Sequence, residues 1–346
     1  MRVLITGNMG YVGSVLVPYL KNNSNYELVG LDSGIFSSCL ISDVNILPES
    51  SINYQIYKDV RDVNDDDLKN IDVIVHLAAI SNDPMGNLFE DVTEKINLHA
   101  SKRLIDIAVK AKIKKIVFAS SCSMYGDSGD ELRNENSNLN PLTVYAKSKV
   151  KVEEYAKEII KKGVNLNFVA MRFATACGPS DRFRNDLVLN DFISSALHKK
   201  SINIQSDGSP WRPLIDTRDM SKALMWAINY KNEIIKGNFD AFNIGLEDWN
   251  YSVIHLAEKV AKHLGGVSIN INPKGRGDPR SYKVDFSHFR KCSNGILGKR
   301  SLEETIDSVI EKIANIDYIK IEKYYRLNTL QNLVREKILD SNLRII

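Results

Sequence analysis

The sequence predicts an α/β chain, a doubly wound parallel sheet followed by a smaller α/β domain. Three observations predict it. Short apolar segments alternate with amphipathic helices through the first 174 residues. A glycine-rich turn joins the first of those strands to the first helix. After about residue 175 the rhythm breaks into shorter elements separated by loops rich in Pro, Gly, Asp and Arg.

The elements follow in order. Arg2 to Ile5 is a short apolar strand and Tyr11 to Lys21 reads as a helix. Glu27 to Leu31 is the next strand, and Ile52 to Tyr57 alternates like a third. Ile71 to His76 is a buried apolar strand. Val92 to Ala111 has helical apolar spacing, and Lys115 to Ser120 is another strand. Val144 to Lys161 is a long amphipathic helix that leads into the strand Asn165 to Arg172. Near-continuous apolar strands alternating with helices indicate a parallel sheet covered on both faces. In the second half, loops form at Cys177-Gly178-Pro179, Gly208-Ser209-Pro210 and Lys274-Gly275-Arg276-Gly277-Asp278-Pro279. The expected division is a dinucleotide-binding domain over 1–174, to which some later segments return, 213–230 for example, a mainly substrate-binding unit over 175–315, and a helical, charged tail over 316–346. Packing or subunit contact is the expected role of that tail.

Composition narrows the function. The 346 residues are 43% hydrophobic, and the formal net charge is only +3. That balance gives no strong field for nucleic acid or for a membrane surface. The four cysteines (Cys39, Cys122, Cys177, Cys292) are scattered without a CxxC pair, which argues against a metal site or a disulfide scaffold and suits a reducing cytoplasm. A strand starts at residue 2, so no signal peptide is expected before the fold. No run approaches the ~18 apolar residues that a membrane span needs.

The turn Thr6-Gly7-Asn8-Met9-Gly10-Tyr11-Val12-Gly13 carries the first chemistry. Gly7 permits the tight turn, Gly10 lets backbone approach a pyrophosphate, and Gly13 allows close helix packing. Met9, Tyr11 and Val12 complete the phosphate-facing segment, because a helix N-terminus offers free N–H groups to an anion. The spacing is GxxGxxG rather than GxGxxG, so the partner downstream matters. Asp32 ends the strand ELVGLD, where a carboxylate accepts from both ribose hydroxyls and repels a 2′-phosphate. The expected cofactor is therefore NAD. Asp59-Val60 follows the third strand, where the adenine edge would lie. Leu77-Ala78-Ala79 follows the fourth, with small residues that let backbone approach the cofactor. His76, on an apolar strand, reads as a core histidine.

Tyr145 and Lys149 stand four apart on one helix face. A phenol is a poor base at neutral pH, with an unperturbed pKa of ~10. A neighbouring ammonium and a positive nicotinamide both favour the phenolate. Lowering that pKa by ~3 units corresponds to ~4 kcal/mol. Upstream, the strand KIVFAS, which ends with Ala119 and Ser120, runs into Ser121-Cys122-Ser123-Met124-Tyr125-Gly126. This loop leaves the carboxyl end of a parallel strand, where such sheets place their sites. Ser121 is positioned there to hydrogen-bond a substrate oxygen.

Together these pieces resemble the extended short-chain dehydrogenase/reductase family, in its nucleotide-sugar epimerase and dehydratase branch, with a Rossmann domain of UDP-glucose 4-epimerase type. The matching segments are TGNMGYVG, Asp32, Asp59-Val60, HLAA, SSCSMYG, YAKSK and RPLIDTRDM, in family order over residues 1 to about 290. The resemblance implies Tyr145 as catalytic acid/base, Lys149 as its modulator and Ser121 as hydroxyl partner. It puts Asn97, in EKINLHAS, near the lysine and cofactor, and Ala119 and Phe173 in the cofactor set, Phe173 beside the nicotinamide. It gives Ser123, Thr175, Asn190, Arg212, Asp278, Arg280 and Tyr282 to the nucleotide-sugar substrate. It implies a homodimer as well, with Val92–Ala111 and Val144–Lys161 as the pairing helices.

The loop also bears on the reaction. The 4,6-dehydratases of the branch carry Thr-Asp-Glu where this chain has Ser121, Cys122 and Ser123, so water elimination lacks its carboxylates. Decarboxylating relatives want a Glu at the position of Ser123. The 3,5-epimerases use a cysteine one position after Cys122, which reads as structural. The leading expectation is a 4-epimerase working through a transient 4-keto sugar. A net 4-dehydrogenase or 4-ketoreductase on the same substrates, heptoses included, stands second. A catalytically silent NAD-binding sensor stands third, because the YxxxK pair is intact.

Overall fold

The computed structural model describes residues 1–41, 46–81, 83–231, 238–272, 274–275, 280–316, 321 and 323–346, with backbone alone at 83, 84 and 87. Its strands are β1 (Arg2–Thr6), β2 (Glu27–Asp32), β3 (Tyr54–Tyr57), β4 (Val73–His76), β5 (Lys115–Ser121), β6 (Asp127–Arg133), β7 (Asn167–Phe173), β8 (Thr175–Cys177), β9 (Ser201–Ile204), β10 (Trp211–Asp216), β11 (Asn238–Ile244), β12 (Asn250–Ser252), β13 (Ser268–Ile271) and β14 (Ser281–Val284). The α-helices are α1 (Gly13–Asn23), α2 (Asp83–Leu88), α3 (Glu90–Glu94), α4 (Ser101–Lys110), α5 (Val144–Lys161), α6 (Val188–Lys199), α7 (Thr217–Asn229), α8 (Val253–Leu264), α9 (Ser287–Cys292), α10 (Leu302–Ile313) and α11 (Arg326–Arg335).

Seven parallel strands form the central sheet in the order β11-β7-β5-β4-β1-β2-β3. Alternate side chains of each strand feed two cores. Val3, Ile5, Val75, Val117 and Val169 pack under α1 and α7, while Leu4, Ile74, Ile116 and Phe168 pack under α4 and α5. Burial on both faces explains the unbroken apolar runs. The strand order reverses between β1 and β4, so a crevice opens at their carboxyl ends. A third core of Leu189, Ile193, Leu256, Val260, Ile306 and Val309 joins α6, α8 and α10 beside the small β12-β10-β8 sheet.

The seventh strand comes from beyond the expected boundary. Asn238–Ile244 pairs residue for residue with β7, from Asn238↔Asn167 to Ile244↔Phe173. Helix α7, within the segment expected to return, packs beside α1. The expected single helix over Val92–Ala111 is also not uniform. Lys95–Ala100 forms π-helical turns between α3 and α4. The physical cause lies in the bonds of Asn97 and Ser101. Asn97 accepts from the Ile80 N–H (2.9 Å) and donates to the Ile80 carbonyl (2.8 Å), and Ser101 Oγ donates to the Asn97 carbonyl (2.7 Å). A side chain that claims a helix carbonyl competes with the regular ladder.

His76 is a core histidine, as its apolar strand suggested. Its ring nitrogens meet Thr6 Oγ1 (2.7 Å) and Ser101 Oγ (2.8 Å). Burial, reinforced by the charge of Lys149, lowers its pKa to about 3. Between its ordinary value of 6.5 and 3, the unfolded chain binds this proton and the folded chain does not. Stability therefore falls as pH drops through that window. In His76→Asn, urea unfolding across that range should show a pH slope reduced by up to about 1.4 kcal/mol per unit.

Candidate active site

The glycine turn is fixed by close approaches. Gly7 has φ +76°, and a Cβ there would sit 2.7 Å from the Ala78 nitrogen. At Gly13 a Cβ would meet the carbonyl oxygens of Gly7 and Asn8 at 2.5 Å. Helix α1 starts with no side-chain cap and no acidic residue in its first turn, so its N-terminal N–H groups keep their affinity for an anion. Gly13→Ala should force the turn apart. The expected result is at least about a tenfold loss of dinucleotide affinity, read as nucleotide retained on purification.

Asp32 faces the turn. Its carboxylate accepts from the N–H groups of Met9 (3.0 Å) and Gly34 (2.8 Å). Burial pushes the carboxyl up, and these two N–H groups pull it back. Met9 itself stays off the cavity wall. Asp59 is committed elsewhere, because Arg61 grips its carboxylate through Nε (2.9 Å) and Nη2 (2.5 Å).

A cavity of about 490 Å³ runs from this turn across the carboxyl edge of the sheet. Its wall includes Gly7, Gly10, Tyr11, Val12, Gly13, Asp32, Asp59, Val60, Leu77, Ala78, Ala79, Ala119 and Phe173. It also takes in Ser121, Ser123, Tyr145, Lys149, Thr175, Arg212, Arg280 and Tyr282. Residues from nine separate segments thus converge. Asn97 is not on the wall; it holds Ile80, which is. Nor is Asn190, whose fully buried amide accepts from Gly178 N and donates to the Tyr11 hydroxyl (3.0 Å) and the Arg184 carbonyl. It fastens the glycine turn to the second half of the chain, with no capacity turned to a ligand. Asp278 lies outside the described residues.

At the far end, α5 begins beneath an N-cap hydrogen bond from Ala146 N–H to Thr143. That start sets Tyr145 and Lys149 against the Ser121 loop. Lys149 donates to the Ala119 carbonyl (2.7 Å) and stands 4.6 Å from the Phe118 ring centroid and 5.5 Å from that of Tyr145. Burial lowers its pKa to about 7, against the pull of Glu153. Ser121 Oγ donates to Ser123 Oγ (2.9 Å) and accepts from the Ser123 N–H (3.1 Å).

A buried network supports this loop from below. Ser120 Oγ donates to Glu153 (2.6 Å), Glu153 pairs with Arg172 (2.7 Å), and Arg172 reaches the Tyr125 hydroxyl (3.2 Å). Cys122 points into it, donating to the Arg172 carbonyl (3.0 Å), and burial pushes its thiol pKa up. This cysteine is structural in position.

Several wall residues went unread in the sequence. Arg184 pairs bidentately with Asp186 (3.0 and 2.9 Å) and donates to Ser81 Oγ (2.8 Å). Burial opposes ionisation of Asp186, but the charge and hydrogen bonds of Arg184 outweigh it and hold the carboxyl low. The Arg-x-Asp pattern in a loop between apolar segments was the available signal. Arg326, Leu330 and Leu343 reach the wall from the end of the chain, and no local signal marks them. Among the described residues there is no cluster of groups suited to a metal ion and no helix long and apolar enough to cross a membrane.

A dinucleotide-type turn and a Tyr–Lys–Ser end sharing one cavity define an oxidoreductase-like class on a Rossmann sheet. Residues 3–245 match the model of the NAD dependent epimerase/dehydratase family, and the chain belongs to that family. It is 30% identical over 320 residues to a putative UDP-glucose 4-epimerase of Methanocaldococcus jannaschii, covering 90% of this chain and 98% of the relative. It is 28% identical over 302 residues to an uncharacterized UDP-glucose epimerase of Bacillus subtilis, covering 84% and 91%. Among solved structures, MoeE5 in complex with UDP-glucose and NAD superposes with a TM-score of 0.77 at 27% identity, over 91% of this chain and 99% of that one.

Proposed function

We propose that this chain is an NAD-dependent nucleotide-sugar 4-epimerase. The observation that carries the reading is the Tyr145–Lys149 pair beside Ser121, at one end of a cavity whose other end is the glycine turn and Asp32. The cavity fits the cofactor. The turn leaves no room for a Cβ at Gly7 or Gly13, the α1 N-terminus is uncapped, and the half-buried Asp32 carboxylate takes only two backbone N–H groups. Gly7 to Gly13 would hold the pyrophosphate, Asp32 the adenosine ribose, and Ala119, Phe173 and Lys149 the nicotinamide end.

NAD held by these residues would supply a hydride acceptor for C4 of the sugar and, once the 4-keto sugar has turned over, a hydride donor to its opposite face. The chain's own groups handle the proton. Tyr145 Oη takes it from the C4 hydroxyl and later returns it. The Lys149 ammonium stabilises the phenolate electrostatically. Ser121 Oγ, held by Ser123, orients the same sugar oxygen. Arg212 and Arg280, which line the cavity beside Tyr282, suit a diphosphate.

The loop favours epimerisation over elimination. Ser121, Cys122 and Ser123 present no carboxylate, and the thiol of Cys122 is turned into the core. The test is a screen of UDP-, GDP-, CDP- and dTDP-sugars with products resolved by chromatography. The expected outcome is a 4-epimer formed without added cofactor and without net change in nicotinamide absorbance. Sustained net reduction of NAD would instead establish the 4-dehydrogenase. A homodimer paired through α4 and α5, resident in the cytoplasm, belongs to the same proposal, and sedimentation tests the assembly.

A further inference from the structure

The last 21 residues sit where no motif of the sequence placed them. Helix α11 and the short hairpin after it, closed by the bridge Leu339↔Ile345, pack against α2 and against the segments that follow β2 and β3. Leu330, Leu339 and Leu343 are buried with Ile80, Met85 and Val92, and Ile35, Phe36 and Ile96 pack against them. Two of these leucines, Leu330 and Leu343, line the main cavity next to Val60 and Asp59.

The docking is polar as well as apolar. Arg61, while gripping Asp59, donates to the carbonyls of Asn342 (2.7 Å) and Leu343 (3.2 Å). Arg344 pairs with Asp62 (2.5 Å), and Lys95 donates to Asn342 (3.0 Å). The segment that follows β3 is thus tied directly to the end of the chain.

Arg326 supplies the second, independent observation. Its side chain is 2% exposed, lies 4.9 Å over the Phe36 ring, and donates through Nη2 to the Arg182 carbonyl (2.8 Å). Its Nη1 is buried with no hydrogen-bond partner among the described residues, yet the residue lines the cavity. A buried guanidinium nitrogen left without an acceptor is costly, so such a group points to a ligand oxygen.

We infer that the C-terminal segment 326–346 is part of the cofactor site, with Leu330 and Leu343 walling the adenine and Arg326 Nη1 donating to an oxygen of the adenosine ribose or of its own 5′-phosphate. This rests on the reading of the cavity as the NAD site. An outer wall of this kind slows cofactor escape, which suits an enzyme that regenerates its NAD in every turnover and never needs to exchange it.

The test compares the full chain with Arg326→Met, Leu330→Ser and Leu343→Ser, each checked for folding by circular dichroism. Binding of NAD, ADP-ribose and nicotinamide mononucleotide is measured by calorimetry, and NAD release by stopped flow. Each variant should bind NAD and ADP-ribose about tenfold more weakly and release NAD faster, with the mononucleotide unaffected, since affinity changes of this kind lie mainly in the off-rate. A purely structural Arg326 would give the opposite result, because replacing a buried unpaired charge by a thioether raises the unfolding temperature without touching binding. Unchanged NAD and ADP-ribose binding in all three variants overturns the inference alone. Equal weakening of all three ligands also overturns it. Failure of the unaltered chain to bind NAD removes both the inference and the function it rests on.

Discussion

Tyr145→Phe should lower turnover by roughly 10²- to 10⁴-fold, the range that a positioned acid/base contributes, while NAD stays bound. The hydroxyl is the only part lost. The ring remains beside Lys149 Nζ, now 5.5 Å from its centroid, and the helix position is unchanged. Cofactor affinity should persist because the glycine turn and Asp32 lie at the other end of the cavity. The measurement is single-turnover conversion of an active nucleotide sugar, with bound NAD quantified in the same preparation. Turnover surviving within tenfold of the unaltered enzyme would sink the proposed mechanism.

Lys149→Met should separate activity from stability, in opposite directions. Burial lowers the Lys149 pKa from 10.5 to about 7. The unfolded chain therefore binds one more proton than the folded chain between pH 7 and 10.5. The penalty is fully present below pH 7 and fades as pH rises toward 10.5, so folding stability increases with pH across that window. Methionine removes a penalty on the order of a few kcal/mol, offset in part by loss of the charged hydrogen bond to Ala119. The variant should unfold at higher temperature at pH 6, and this gain should shrink by pH 10.

Activity moves the other way. Without the ammonium, the Tyr145 phenolate loses its stabilising charge, and the acid limb of the rate profile, where the base becomes protonated, should move to higher pH. Rate-versus-pH profiles and thermal unfolding at both pH values check the two halves. A variant that loses activity without the pH-dependent gain in stability would show that burial does not penalise the Lys149 charge.

How much was legible depended on whether the signal was local. The glycines of the turn, Asp32, the Ser121 loop and the Tyr145/Lys149 spacing are short-range patterns dictated by backbone geometry and helix periodicity. The sequence displays them without help. The alternating strands were readable because each is buried on both faces and must be apolar throughout. Asn97 was visible as a residue, but its hold on Ile80 and the π-helical turns around it were not, since the partner lies in a different element. Asn190 stood in the right segment for a substrate, yet its amide is consumed by Tyr11, Gly178 and Arg184.

By itself, then, the sequence determined the class of sheet, the cofactor turn and the acid/base pair, because neighbours in the chain build each of them. The tertiary structure alone decided which charges face the cavity and which are already spent. Asp59 is claimed by Arg61, whereas Arg326 is left with an open donor. It also decided that β11 completes the central sheet and that the chain's last residues wall its cavity. These pairings span more than 60 residues for β11 and more than 280 for Arg61 with Leu343. Contacts at such separation follow from how packed layers bring distant segments together, and no local spacing encodes them.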